Sequence, residues 1–312
     1  KFLALYDALG IVGDARPQIA SLPPIMSPDG KKKLGKRDGA KDILAYRADG
    51  YLPEAMMNFL AFIGWNPGDE REIMSAEEIM SAFDFSKVQS AGGKLNEEKL
   101  DWTNREYLVR MPNDEWLKRF FEWLNAPYSA ETKKAFADRG IDVHGDEFKN
   151  ILIAVARERI SYFGETKTML ENGEFDYFFS APLDNPEADG VATESTFKSL
   201  IICPEKMWKN GAGEKITVDA ASTIAILNQV AEILDKKLSD GADTDGAGWT
   251  KESIKEALWP FAEHEGKGIV LWPLRVAPSG AERSPDPFIL ASILGKKETL
   301  DRISTAILVL GR

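Results

Sequence analysis

The residues most able to do chemistry lie together in Ser27-Pro28-Asp29-Gly30-Lys31-Lys32-Lys33-Leu34-Gly35-Lys36-Arg37-Asp38-Gly39-Ala40. Pro28-Asp29-Gly30 is turn chemistry, because proline presets φ and glycine supplies positive φ at no steric cost. A helical pattern through Asp42, Ile43, Leu44, Tyr46 and Arg47 starts directly afterwards. Lysines on a glycine-hinged loop ahead of a helix suit a polyanion such as a triphosphate. The same residues also read as a solvated basic turn.

Other site chemistries find little support. Cys203 is the only cysteine, which excludes an intramolecular disulfide and fits a reducing, cytoplasmic setting. His144 and His264 are far apart, with no cysteine partners at ligand spacing, so neither a zinc site nor a His-activated nucleophile is expected. Both read as exposed polar residues. Asp240-Gly241-Ala242-Asp243-Thr244-Asp245-Gly246 resembles a calcium loop but lacks the bidentate glutamate at the twelfth position, and reads as a flexible connector. The net charge of −11 argues against a generic nucleic-acid binder, although positive charge is gathered between Lys31 and Arg47. Trp102, Trp116, Trp123, Trp259 and Trp272 could stack on bases, but most sit in amphipathic patterns and read as core; Trp65 reads as a packing residue.

The elements that must position these residues are helices. Phe2, Leu5, Tyr6 and Leu9 make an apolar stripe stopped by Gly10, a helix entered part-way without an initiator Met, so a piece of a longer protein is expected. Pro53 suits a helix start, with Met56, Met57, Leu60, Phe62 and Ile63 as the buried face. Ser75-Ala76-Glu77-Glu78 is a capping box that turns Ile79 and Phe83 inward, and residues 95–111 are amphipathic. Pro112-Asn113 marks a boundary. Beyond it helices are predicted over 114–124, 129–139 (Ser129 as N-cap), 146–160, 218–237, 250–265, 266–276 and 284–310, with 183–190 and 191–202 irregular. The length of 312 residues suits about two domains of ~150 residues. No apolar run approaches the ~18–20 residues that span a bilayer.

Lys33-Leu34-Gly35-Lys36-Arg37 is similar to the KMSKS-type loop of class I aminoacyl-tRNA synthetases, in the K-L-S-K-R form of bacterial glutamyl-tRNA synthetases. The flanks agree: Leu22-Pro23-Pro24-Ile25-Met26, Arg37-Asp38-Gly39-Ala40, Gly50-Tyr51-Leu52-Pro53-Glu54-Ala55 and Phe62-Ile63-Gly64-Trp65-Asn66-Pro67-Gly68-Asp69. Leu271-Trp272-Pro273-Leu274-Arg275-Val276-Ala277, Ser284-Pro285-Asp286-Pro287-Phe288 and Leu294-Gly295-Lys296 resemble segments near the family's C terminus. From Asn113 to Gly266 the likeness is one of layout. Gly35 stands where the family usually has serine, which removes a hydroxyl and loosens the loop backbone.

The resemblance implies a mainly α fold. Residues 1–50 would be the tail of a class I Rossmann-type catalytic domain, 51–112 a small helical tRNA-contact domain, and 113–312 an all-helical anticodon-binding region. It implies glutamate–tRNA ligase as the parent activity, attaching glutamate to its tRNA through glutamyl-adenylate. Lys36 takes the catalytic role on the leaving diphosphate, with Lys33 and Arg37 supporting it on ATP. Magnesium accompanies ATP through its phosphates, and no protein-bound metal is implied. Arg159 falls at the base-reading position with Arg157 as competitor, and Ser284 and Arg275 are further anticodon candidates. On local grounds Arg159 also reads as a salt-bridged surface arginine, and Ser284 as an N-cap before Pro285 at N1. Implied partners are the glutamate tRNA, with the glutamine tRNA as a second candidate, ATP and glutamate, in a cytoplasmic monomer with no membrane. The HIGH-type motif of the family does not occur in these residues, so the chain alone is expected to make no glutamyl-adenylate. The alternatives are a non-catalytic tRNA-binding or helical scaffold protein retaining the loop as a remnant, and glutaminyl-tRNA synthetase, whose anticodon region is β-barrel.

Overall fold

Asp42 starts the first helix after the lysine loop: its carboxylate accepts from the Leu44 N–H at 2.8 Å, so an orphan donor of the first turn is satisfied. That helix is the second of the computed structural model, which describes residues 2–17, 19, 21–35, 41–182, 194–239 and 248–312. The chain divides into two compact units, Lys1–Arg110 and Met111–Arg312. Among the described residues there is no strand, only isolated bridges. No helix of the described residues is long and apolar enough to cross a membrane.

The first unit holds α1 (Phe2–Ala8), α2 (Ile43–Asp49), α3 (Pro53–Ala61), α4 (Ala76–Ala82) and α5 (Glu97–Arg110). α1 buries none of its residues, so its apolar stripe faces solvent in this structure. Gly50 closes α2 at φ 94°, a backbone state that only glycine takes cheaply, and Pro53 opens α3 at N1. The buried face of α3 is Ala55, Met56 and Phe59; Met57 and Leu60, read from the sequence as core, are exposed. Asn58 explains the shift. Its side chain lies on the inner face, accepting from the Met74 N–H at 2.6 Å and from the Tyr107 hydroxyl at 3.1 Å, and donating to the Glu72 carbonyl at 2.9 Å. The apolar arc is narrowed to fit it. Asn104 of α5 accepts from the Leu52 N–H at 2.8 Å, and Tyr46, Met56, Phe59 and Leu100 form the core between α2, α3 and α5. The Ser75 capping box is present, but Phe83 is 45 % exposed and joins an aromatic run with Trp65 and Phe85.

The second unit begins with α6 (Asn113–Leu124), α7 (Ala130–Asp138), α8 (Asp146–Ile151), α9 (Glu165–Glu171) and α10 (Asp176–Phe179). Their core is aromatic: Trp116, Phe120, Trp123, Phe136, Phe148, Phe163 and Phe175 meet edge-on, tilted or stacked. Ser129 stands at the N-cap position of α7, yet its buried hydroxyl makes no capping bond. The predicted helix over 146–160 does not run through. After α8 the backbone widens into a π turn at Leu152–Ala156, with the Arg157 N–H bonded to the Leu152 carbonyl at 2.9 Å, and unwinds at Arg159.

The rest of the unit packs α11 (Glu194–Ile201), α12 (Ala220–Lys237), α13 (Lys251–Glu265), α14 (Lys267–Ser279) and α15 (Pro287–Gly311) around one apolar core. α11 was read as irregular from its polar sequence. Phe197 and Ile201, four apart, insert into the core and make it a helix, while the Trp272 indole donates to the Leu200 carbonyl at 2.8 Å. α15 begins two residues later than the Ser-Pro pair suggests: Asp286 is the N-cap, accepting from the Phe288 N–H at 2.9 Å, with Pro287 at N1. The helix is broken at Gly295 (φ 79°, ψ 167°), and the freed Ala291 carbonyl accepts from the Trp249 indole at 2.8 Å and from Thr299 Oγ1 at 3.3 Å. Lys296, beside the break, closes the C-terminal end of α12 by donating to the Leu238 carbonyl at 2.7 Å.

Candidate nucleic-acid interface

The lysine loop is rooted in a short hairpin. The Gly30 N–H bonds the Ser27 carbonyl at 2.7 Å across Pro28-Asp29, with Gly30 at φ 71°, as the turn residues predict. Ser27 N–H pairs with the Lys32 carbonyl at 2.9 Å, Leu34 N–H with the Ile25 carbonyl at 2.9 Å, and Met26 bridges Lys33. The Ser27 hydroxyl, and next the Lys31 N–H, hold the Asp29 carboxyl below the usual carboxylate range, so the turn keeps an internal anion among its lysines.

A second segment braces this hairpin. Met26 N–H bonds the Gly93 carbonyl at 2.9 Å and the Leu95 N–H bonds the Met26 carbonyl at 3.1 Å. Only glycine permits so close an approach: a Cβ on Gly93 would stand 2.4 Å from the Ile63 carbonyl oxygen, and one on Gly92 would stand 2.6 Å from that of Pro24. Lys94, between this pair and α5, lies across the hairpin turn; a Cβ on Gly30 would meet its Cε at 2.5 Å. Among the described residues, the ammonium groups of Lys31, Lys33 and Lys94 have neither ion pair nor hydrogen bond, and all three side chains are exposed. Lys94 is a cation that sequence reading missed. Its signal was the Gly-Gly pair, which marks a close backbone approach. Lys36 and Arg37 lie outside the described residues, as do the acidic segment 183–190 and most of the Asp240–Gly246 connector.

In the second unit the two candidate arginines at the end of the π turn have different surroundings. Arg157 is half-buried and turns back to the start of α6, donating to Asn113 Oδ1 and to the Met111 carbonyl. Arg159 is exposed and ion-paired to Glu174. The extra residue of the π turn rotates one inward and leaves the other at the surface. An open cleft of about 410 Å³ lies beside Arg159, lined also by Ile160, Tyr162, Thr168, Met169 and Glu174.

Arg275 lies on α14, half-buried, with no ion pair or side-chain hydrogen bond among the described residues; its carbonyl accepts from the Ser279 hydroxyl at 2.7 Å. Ser284 sits in the turn between α14 and α15, half-buried and relieved of capping by Asp286, with its hydroxyl 3.5 Å from the Pro285 carbonyl. Arg302 of α15, unremarked in the sequence, joins these regions: it donates to the carbonyls of Tyr177, at 2.6 Å, and Pro278, at 2.7 Å. Trp116, Trp123 and Trp272 are buried and unavailable for stacking. Trp102 is partly exposed under Lys99 at 3.7 Å, and half-buried Trp259 lies under Lys255 and Lys267. Both histidines are exposed, and no group of three or more His, Cys, Asp or Glu among the described residues is arranged to hold a metal ion.

Comparison with known proteins agrees with this helical architecture. A family model described as an anticodon binding domain matches residues 98–307, and one described as the catalytic domain of class I (E and Q) tRNA synthetases matches residues 1–102. A glutamate–tRNA ligase of Porphyromonas gingivalis is 32% identical over 324 aligned residues, covering 98% of this chain and 54% of that protein. One from Anaeromyxobacter sp. is 32% identical, covering 99% and 54%. The crystal structure of a glutamate tRNA ligase from Elizabethkingia meningosepticum, in complex with its amino acid, superposes with a TM-score of 0.63 at 30% identity, over 99% of this chain and 54% of that one. The chain thus spans about half the length of the curated relatives it matches. By the anticodon-binding match over more than half its length, and by these relatives, the chain belongs to the glutamate–tRNA ligase family.

Proposed function

We propose that this chain is the tRNA-engaging part of a glutamate–tRNA ligase, and that its second unit reads the anticodon. The observation that carries the reading is the anticodon-binding match over a helical unit in which Arg159 stands exposed at the end of a π turn, beside an open cleft. Arginine at an open cleft suits unstacked bases, the usual target of sequence-specific RNA recognition. Arg275 and Ser284 are assigned as further contacts, with Arg157 as a structural neighbour rather than a reader. The parent reaction we assign is the ATP-dependent attachment of glutamate to the terminal adenosine of its tRNA. Lys36 stabilises the charge that builds on the β and γ phosphates as diphosphate leaves, supported by Lys33 and Arg37. Magnesium arrives with ATP as part of that substrate. The glutamate tRNA is the assigned partner, the glutamine tRNA a second one, and the protein is placed as a cytoplasmic monomer.

The test is binding of the chain to tRNA with single anticodon changes, with and without Arg159→Ala, across a salt series. Arg159→Ala is expected to cost about 1–3 kcal/mol on the matched anticodon and less on a changed one. An equal loss on every anticodon overturns the reading, since a phosphate contact behaves that way. Gly35 in place of serine favours a second reading, a non-catalytic tRNA-binding or scaffold protein. Glutamate charging by the full-length parent protein rejects it.

A further inference from the structure

Glu174, the partner of Arg159, is set rigidly by the chain. α9 ends with Gly173 at φ 73°, its N–H bonded to the Leu170 carbonyl at 3.0 Å, and the Glu174 N–H is bonded to the Met169 carbonyl at 2.9 Å. This paired closure of a helix end fixes the backbone from which the Glu174 side chain departs. Arg159 in turn leaves from the end of the π turn, its own N–H bonded to the Ala156 carbonyl at 2.9 Å. Two fixed backbones therefore hold opposite charges at one cleft. Buried Tyr177 lies in the field of both: burial raises its hydroxyl above the usual tyrosine range, Arg159 opposes that and Glu174 adds to it. Nothing in a purely structural role calls for a carboxylate here, because the pair is substantially exposed and a surface pair contributes ~1 kcal/mol at most.

We propose that Glu174 is a specificity-determining residue for the anticodon reading assigned to Arg159, and the inference rests on that reading. The carboxylate holds the guanidinium as a latch, which an entering nucleobase must displace. A base presenting acceptors to Arg159 replaces the lost ion pair with new hydrogen bonds. A base presenting donors there leaves a cation and an anion both unmatched, and is rejected. The negative charge also repels phosphates of RNA that arrives without a fitting base, which lowers indiscriminate binding.

The experiment measures affinity of the 312-residue chain for an anticodon stem-loop RNA of the glutamate tRNA and for variants changed one base at a time. Wild type, Glu174→Gln, Arg159→Ala and the double variant are compared. Glu174→Gln is expected to bind every RNA about two- to fivefold more tightly, while the ratio between matched and changed RNA falls by a similar factor. In the Arg159→Ala background the same change should no longer alter the ratio. If Glu174→Gln keeps the wild-type ratio while Arg159→Ala abolishes it, the latch is overturned and the reading of Arg159 stands. If Arg159→Ala keeps the ratio, both are overturned. Should Glu174→Gln disturb the turn, Glu174→Asp retains the charge on the same backbone and is expected to keep the ratio; losing it would count against the latch.

Discussion

Arg302 Nη1 donates to the Tyr177 carbonyl at 2.6 Å, across more than a hundred residues of sequence, and to the Pro278 carbonyl at 2.7 Å. Its Nε is held by Glu298 at 2.7 Å, and the side chain is only 5% exposed. One guanidinium thus fastens the corner beside Arg159 to the end of the helix that leads to Ser284.

Replacing that group with an apolar one of similar length, Arg302→Met, leaves two buried carbonyls without a donor. The expected loss is about 3 kcal/mol of unfolding free energy, read by urea denaturation. Arg302→Lys should recover little, because a single ammonium cannot reproduce the planar fork. Wild-type stability in Arg302→Met would mean the carbonyls find other donors.

Arg157 and Arg159 should separate cleanly. Arg157→Ala removes the bonds to Asn113 and Met111 and is expected to lower stability by about 1–2 kcal/mol, with anticodon preference kept. Arg159→Ala, which removes only a surface pair, should change stability by under ~1 kcal/mol and lose the preference. Paired melting curves and RNA titrations decide, and a reversed pattern makes Arg157 the reader.

Gly93→Ala puts a methyl into the Ile63 carbonyl, a backbone atom that cannot swing aside. A loss of about 1–3 kcal/mol is expected. Hydrogen exchange should speed up at the Met26 and Leu95 amides, which bond across this junction. Gly311→Ala, where a methyl meets nothing, serves as the neutral comparison.

The single thiol gives a pH test. Burial pushes Cys203 from 9.0 up to about 11. The folded state therefore keeps its proton where the unfolded state has lost it, so stability is unchanged below pH 9 and falls as pH rises from there to about 11. Tyr46, raised to about 12 by burial and then by its bond to Glu97, continues the decline from 10 to about 12. Cys203→Ala should decline less steeply across the first window in denaturation curves taken at stepped pH. Identical slopes would mean that the thiol is not shielded in the folded chain.

Much of this fold is legible in the residues themselves. Gly50, Pro53, the Ser75 box and the Pro28-Asp29-Gly30 turn act through neighbours a few positions away, and each does in the structure what its local chemistry dictates. What stayed hidden depends on distant partners. Asn58 takes an inner position because Met74 and Tyr107 await it, and polar α11 is helical because a core formed elsewhere accepts Phe197 and Ile201. At the candidate site the same division holds. Arg157 and Arg159 stand two apart and look alike as letters; only the width of the preceding turn distinguishes them. Lys94 and Glu174 carried no local mark beyond the adjacent glycines.

The bulge at Leu152–Ala156 works as a one-step offset in the gearing of the chain. Each residue of an ordinary helix turns its successor by about 100°. Deleting a single residue there would advance everything downstream by that angle, swinging Arg159 off the surface and bringing Glu158 round in its stead. The polarity of the cleft would invert with no change in composition outside the bulge. Length at this spot, more than the identity of any one side chain, sets which charge an RNA meets.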